Sequence, residues 1–379
     1  MILANATIVD DNFQLENCDI RIDGKRIVEV GTHLSGEEIW DMSGKFILPG
    51  FIDTHMHGAC GMRGDDENSD LSKITEFEVT QGVTGIALTT SCIDFSKLLR
   101  CMDHIVDESK KVAGSKILGI HAEGPFLNKE RQGGMLEEYI IEPDLEKLKQ
   151  MIEQGKGLLK FMTIAPEMPN AIELIEYAVS SGLVVSLGHT DATYDETMAA
   201  IAAGASQTTH TFNAMRPYNH REPGVLGAAL VDDRITCEMI SDYVHLHPAT
   251  VELIYRLKKA DHIKVISDSV SPAGLKVTEF EEDGERKYVK NGVLYLSDGT
   301  IDGSVKTLLD GVQNLLHAGV PITNVVKMAC YNPAKSLGLE KELGSIAKGK
   351  YADLVVLNQS YDVEYTFVNG NCVYKAEEQ

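Results

Sequence analysis

The sequence predicts a TIM-type (β/α)8 barrel joined to a small β-sandwich that both chain ends build together. Three observations predict it. Short apolar runs alternate with helix-period segments through the middle of the chain, the pattern of a parallel sheet with crossover helices. Eight such runs can be counted, the number that closes a barrel rather than leaving an open sheet. Both chain ends instead carry strand runs separated by tight-turn dipeptides.

At the N-terminal end the strand runs are Ile2-Leu3-Ala4-Asn5-Ala6-Thr7-Ile8-Val9, Cys18-Asp19-Ile20-Arg21-Ile22 and Arg26-Ile27-Val28-Glu29-Val30, with a hairpin signal at Asp23-Gly24. The C-terminal end repeats the texture in 352–357 and 366–374, with Asn369-Gly370 as its turn. The expected division is therefore 1–48 with 346–379 for the sandwich and 49–345 for the barrel. Barrel strands are expected at 50–55, 83–89, 117–121, 158–164, 183–187, 206–210, 236–240 and 263–267. Amphipathic helices are expected at 169–180, 194–203, 248–259 and 305–317 among them, and a β-hairpin is expected at 276–297.

Bulk properties narrow the function. The chain has 379 residues, 43% of them hydrophobic and 24% charged, as in an ordinary soluble enzyme. A net charge of -22 argues against nonspecific binding to nucleic acid or anionic membranes. No apolar run reaches the roughly 18 residues of a membrane span, and the first residues lack a signal-type charged segment. The seven cysteines are scattered without a C-x-x-C pair, which points to a reducing, cytoplasmic setting. They read as small buried hydrophobes, with Cys60 left open because it follows a histidine motif. An anionic substrate would need specifically placed cations to enter so acidic a protein.

Catalytic groups of a barrel gather at the C-terminal ends of its strands, and the polar residues here fall at those ends. The first strand ends in Asp53-Thr54-His55-Met56-His57, the third in His121-Ala122-Glu123, the fifth in Gly188-His189 and the sixth in Thr209-His210. The seventh leads to Asp242-Tyr243-Val244-His245 and the eighth to Ser267-Asp268. Imidazole and carboxylate are ligands for divalent metals, so Glu123, His189 and His210 can form one open-sided site. His55 and His57, two apart and on one strand face, can form a second with Glu123 bridging. A lone H-x-H is weak evidence, but ligand types in register at four strand ends are not. Asp268 is the candidate proton shuttle. Capping a following helix is the ordinary alternative, and Ser271-Pro272 leaves no immediate helix to cap.

These residues and their neighbourhoods, His121-Ala122-Glu123-Gly124-Pro125-Phe126, Gly188-His189-Thr190-Asp191-Ala192-Thr193-Tyr194, Thr209-His210-Thr211-Phe212-Asn213-Ala214-Met215 and Arg221-Glu222-Pro223-Gly224, resemble the amidohydrolase superfamily. Within it the chain is similar to the N-acetylglucosamine-6-phosphate deacetylase family along nearly its whole length. The resemblance implies metal-assisted hydrolysis of an acetamide on a small amino-sugar phosphate, with zinc first among one or two divalent ions. It implies Glu123, His189 and His210 as metal ligands, Asp268 as acid and base, and Asn213 and Ala214 as sugar contacts. It implies His245 at the phosphate and Arg221 reaching into the neighbouring subunit's site, hence a homodimer. A guanidinium clamps phosphate bidentately, which answers the charge problem. A loop arginine paired with Glu222 is the plain alternative.

Departures from the family pattern mark the substrate side. Single-metal members place a carbonyl-polarising histidine where Met135, preceded by Gly134, stands here, and a thioether donates no hydrogen bond. Those members lack the pair that this chain keeps as His55 and His57, so a second ion is expected to replace the missing donor. Tyr243 stands where glycine is usual and is expected to narrow the pocket. In the loop Ile301-Asp302-Gly303, Asp302 replaces a small residue; it can bind a sugar hydroxyl, repel phosphate, or cap a helix starting near Ser304. Competing readings are an N-acetylgalactosamine-6-phosphate substrate, a cyclic-amide or dipeptide hydrolase using a modified Lys160 on the fourth strand, and a silent scaffold barrel.

Overall fold

The computed structural model describes residues 1–282 and 284–377. The strands of the two chain ends join in one mixed sheet. From the N-terminal side come β1 (Ile2–Val9), β2 (Leu15–Asp23), β3 (Arg26–Gly31), β4 (Ile39–Asp41) and β5 (Phe46–Pro49). From the C-terminal side come β20 (Leu354–Leu357), β21 (Val363–Val368) and β22 (Asn371–Lys375). The order is β22-β21-β20-β5-β1-β2-β3, with β4 also beside β1. The β21–β22 turn puts Asn369 and Gly370 at φ of 50° and 75°, the double left-handed geometry that suits the twist of a hairpin. Alternate residues such as Leu3, Ile8, Ile20, Ile47, Val356 and Phe367 enclose a separate apolar core. The sheet curls far enough for Arg26 to bridge to Tyr351, so the sandwich is one sheet folded over its own core.

The barrel consists of β6 (Phe51–Met56), β9 (Val83–Thr90), β10 (Lys116–Glu123), β11 (Leu159–Ile164), β12 (Val184–Leu187), β13 (Gln207–Thr208), β14 (Thr236–Ile240) and β15 (Ile263–Ile266), each parallel to the next. A short turn of β7 (Gly58–Ala59) and β8 (Met62–Arg63) follows the first strand. At the seam between β15 and β6, side-chain and loop bonds take over from the ladder. The Asp53 carboxylate accepts from the Ser267 N–H at 3.3 Å, and the Asp268 N–H donates to His55 O at 3.0 Å. Burial pushes the Asp53 carboxyl up to about 6 against those bonds.

Helices pack outside by their apolar stripes. In Phe95–Glu108, capped by Asp94, the buried residues Leu98, Cys101, Met102 and Ile105 recur at helical spacing. Two expectations need correction here. The helix expected from 305 starts at Leu308, because Thr307 and Asp310 form a capping box. The expected hairpin is a four-stranded antiparallel sheet of β16 (Glu279–Glu282), β17 (Glu285–Lys290), β18 (Val293–Tyr295) and β19 (Ile301–Ser304). Ser304 bridges to Ser269, which lays β19 against the loop that follows β15. Among the described residues, no helix is long and apolar enough to cross a membrane.

Candidate active site

Six side chains converge at the C-terminal mouth of the barrel. His55 arrives from β6 and His57 from just beyond it, Glu123 from the end of β10, and His189, His210 and Asp268 from just beyond β12, β13 and β15; all six are buried. His189, His210 and Asp268 have φ of 47°, 28° and 51°. Non-glycine residues in this region cost roughly 1–3 kcal/mol each and persist only where their surroundings hold them. The same turn at His210 explains why the sixth strand, expected to run to 210, stops at Thr208.

The Glu123 carboxylate is the hub. Its Oε1 lies 2.8 Å from His210 Nε2 and 3.1 Å from His189 Nε2, and its Oε2 lies 3.0 Å from His57 Nε2. Asp268 Oδ1 lies 3.4 Å from the Nε2 of both His55 and His57. Three groups of ligand atoms lie close enough to share an ion: Glu123 with His189 and His210, His55 with His57 and Asp268, and His55 with His121 and Glu238.

Hydrogen bonding tests whether a cation fits. His189 Nδ1 lies 2.8 Å from Arg131 O, an acceptor only, so Nδ1 carries the hydrogen. The lone pair on its Nε2 then faces the Glu123 carboxylate and, at 3.1 Å, the His210 Nε2. The His189 Nε2 electron pair and the Glu123 carboxylate thus face each other, an arrangement that a shared cation satisfies. His55 repeats the pattern: Nδ1 faces Glu238 Oε2 at 3.0 Å, and the buried Nε2 has no hydrogen-bond partner among the described residues. The first two groups therefore fit a divalent ion. The third does not, because His121 already uses both nitrogens, on Thr54 O at 3.2 Å and Thr163 Oγ1 at 2.8 Å.

Electrostatics agree with a site built for positive charge. Burial lifts the Glu123 carboxyl, but His55, His189 and His210 outweigh it and hold it well below the usual carboxylate range. Burial opposes charge on His57, yet Asp268 and Glu123 raise it to about 9. Asp268 is held low by His57, His55 and His210 against its burial, so it is anionic at neutral pH. His121 is pushed down to about 3 by burial and by His55.

A cavity of about 560 Å³ opens over this cluster, lined among others by Gly134, Met135, Asn213, Ala214, His245, Ile301, Asp302 and Gly303. Met135 lines it while its sulfur accepts from the Cys92 N–H at 3.4 Å. His245 Nδ1 is 2.7 Å from Asp242 Oδ2, and its buried Nε2 has no partner among the described residues. Asp242 outweighs burial and raises the His245 pKa, favouring the charged ring. Asp302 caps no helix: Lys287 Nζ donates to its Oδ2 at 2.6 Å, and Lys287 also meets Glu282 at 2.9 Å. The same pairing gives the Asp302 carboxylate a counter-charge. Gly134 makes room for it, since a Cβ there would lie 2.0 Å from Asp302 Oδ1. Tyr243 does not narrow the pocket; at φ of 63° it turns aside and its hydroxyl donates to Asn314 O at 3.0 Å. Arg221 is exposed on the loop before Gly224–Val231, away from this cavity, and forms no ion pair with Glu222 among the described residues. Lys160 packs beside Gly119 and Leu337, outside the cluster.

Sequence reasoning missed Glu238, Lys264, Ser91, Lys287 and the Arg131 carbonyl. Ser91 Oγ lies 3.1 Å from His57 Nδ1. The signal that could have found Glu238 and Lys264 is a single charge inside each of two apolar strand runs, Cys237-Glu238-Met239-Ile240 and Ile263-Lys264-Val265-Ile266.

Residues 46–373 match the amidohydrolase family. The N-acetylglucosamine-6-phosphate deacetylase of Lysinibacillus sphaericus is 34% identical over 375 residues, which cover 98% of this chain and 97% of that protein. The chain belongs to the amidohydrolase family, in its N-acetylglucosamine-6-phosphate deacetylase branch. The N-acetylgalactosamine-6-phosphate deacetylase of Escherichia coli O157:H7 is 30% identical over 335 residues, covering 88% of this chain and 89% of that one. A structure of a Mycobacterium smegmatis N-acetyl-D-glucosamine-6-phosphate deacetylase mutant in complex with N-acetyl-D-glucosamine-6-phosphate superposes with a TM-score of 0.92 at 31% identity. That match covers 98% of this chain and 99% of the other.

Proposed function

We propose that this amidohydrolase hydrolyses the acetamide of N-acetylglucosamine-6-phosphate, giving the amino-sugar phosphate and acetate in amino-sugar catabolism. One observation carries the reading: three imidazole nitrogens stand within 3.1 Å of a single buried carboxylate, Glu123, on the floor of a sugar-sized cavity. The Lysinibacillus sphaericus and Mycobacterium smegmatis relatives, matched along nearly the whole chain, carry this activity in their names. Glu123, His189 and His210 would hold one divalent ion, zinc first, and His55, His57 and Asp268 a second. Bound there, such ions polarise a carbonyl and lower the pKa of water.

The chain's own residues do the rest. Asp268, anionic and walled by two imidazoles, takes a proton from the attacking water and passes it to the departing nitrogen. His245, braced at Nδ1 by Asp242, offers its Nε2 to the phosphate. Asn213 and Ala214 form the wall beside the sugar, and the Asp302–Lys287 pair lines the same cavity. Arg221, exposed and outside its own cavity, is assigned to the partner's phosphate in a homodimer. The catalytic unit is residues 49–345, carried by 1–48 and 346–379. The seven cysteines are all free, which suits a cytoplasmic protein.

Chelation tests the reading. Stripped protein is expected to lose acetate release and regain it with zinc. Wild type is expected to hold two ions per chain, and His55→Gln with His57→Gln one ion with much lower kcat. Unchanged turnover in that double variant would sink the second-ion role.

A further inference from the structure

We propose that the buried pair Glu238–Lys264 is a positioning element that presents His55 Nε2 to the second ion. The inference rests on the two-ion reading above. Both side chains are fully buried, and neither lines the cavity, so neither touches substrate. They face each other across neighbouring parallel strands, β14 and β15, in register, with Lys264 Nζ 3.3 Å from Glu238 Oε1. The other oxygen, Oε2, lies 3.0 Å from His55 Nδ1. A carboxylate only accepts, so Nδ1 keeps its hydrogen toward Glu238, and Nε2, facing Asp268 and Glu123, is the nitrogen left to ligate an ion.

The ring cannot turn freely to escape this assignment. His121 packs edge-on against it with centroids 4.5 Å apart. Lys264 in turn donates to Thr54 Oγ1 at 3.0 Å and stands 4.6 Å over the Phe161 ring. Its ammonium supplies the counter-charge that lets a carboxylate lie in a dry interior. Glu238 also reaches the first group, but only by a backbone contact, accepting from the His210 N–H at 3.3 Å. Its main grip is therefore on the second.

Zinc titration of the full-length protein, by calorimetry with metal content measured in parallel, separates the sites. Replacing both charges together as Glu238→Met with Lys264→Met leaves no lone buried charge, so the fold is expected to survive. The second ion should bind about 10–100-fold more weakly and the first within about 3-fold of wild type. Glu238→Gln with Lys264→Met returns an acceptor to His55 Nδ1 and should recover part of the loss. Wild-type affinity at both sites in the double methionine variant would overturn the proposal. So would equal weakening of both sites, or no recovery with glutamine, since those outcomes indicate a structural role alone. A wild type that binds a single ion would instead overturn the two-ion reading beneath it.

Discussion

Replacing Asp268 by asparagine keeps the shape of the side chain and removes its ability to take a proton. The structure gives that loss its size. Asp268 Oδ1 sits 3.4 Å from the Nε2 of both His55 and His57, and those rings hold it anionic at neutral pH despite burial. It is therefore ready as a base and needs no prior ionisation. A positioned acid–base group contributes about 10²–10⁴-fold, or roughly 3–5 kcal/mol of barrier, so kcat is expected to fall about 10³-fold. KM should move less than about 3-fold, because the amide still fills the same space beside His57. The assay is acetate release from N-acetylglucosamine-6-phosphate with metal content measured on the same sample. A kcat within 10-fold of wild type at full metal loading would refute the assignment of the proton shuttle.

Arg221→Ala should raise KM for the phosphorylated sugar by about 10–100-fold and leave the unphosphorylated sugar unaffected, as expected for a lost charge-assisted clamp. Mixing that variant with Asp268→Asn subunits should restore activity, because one site in each mixed dimer then has neither defect; no restoration would deny the shared site. Metal affinity should rise with pH up to about 9, since His57 stays protonated to about 9 in the metal-free chain and must lose that proton to ligate; a flat dependence between pH 6 and 9, followed by calorimetry, would contradict this. Glu78 is buried in Leu71–Thr80, where burial and the neighbouring Asp53 push it up to about 8. Its raised folded pKa means that its contribution is full below about 4.5 and is lost as pH rises through about 8. Glu78→Gln should therefore raise Tm more at pH 8 than at pH 5, and equal shifts would refute the linkage.

The barrel was legible because its strands are short, apolar and bounded by turns, and because strand ends are where a barrel keeps its chemistry. His55, Glu123, His189, His210 and Asp268 could thus be found together from sequence and do come together in space. What stayed hidden depended on pairing across the fold. Glu238 and Lys264 are a cross-strand pair, and neither charge announces its partner 26 residues away. The partner of Asp302 lies on β17, two strands away in a sheet whose fourth strand is only Ile301–Ser304. The direction of Tyr243 was fixed by a left-handed backbone angle that no side-chain pattern encodes.

The most direct test of the account is acetate release by zinc-loaded protein from the N-acetyl forms of glucosamine, galactosamine and mannosamine, each with and without the 6-phosphate. N-acetylglucosamine-6-phosphate is expected to turn over fastest, and removing its phosphate is expected to raise KM at least 10-fold through the lost contacts of His245 and Arg221. Faster turnover of the galactosamine phosphate would keep the chemistry and reassign the sugar, with Asp302 and Lys287 the first residues to exchange. No acetate from any of the six would contradict the central claim.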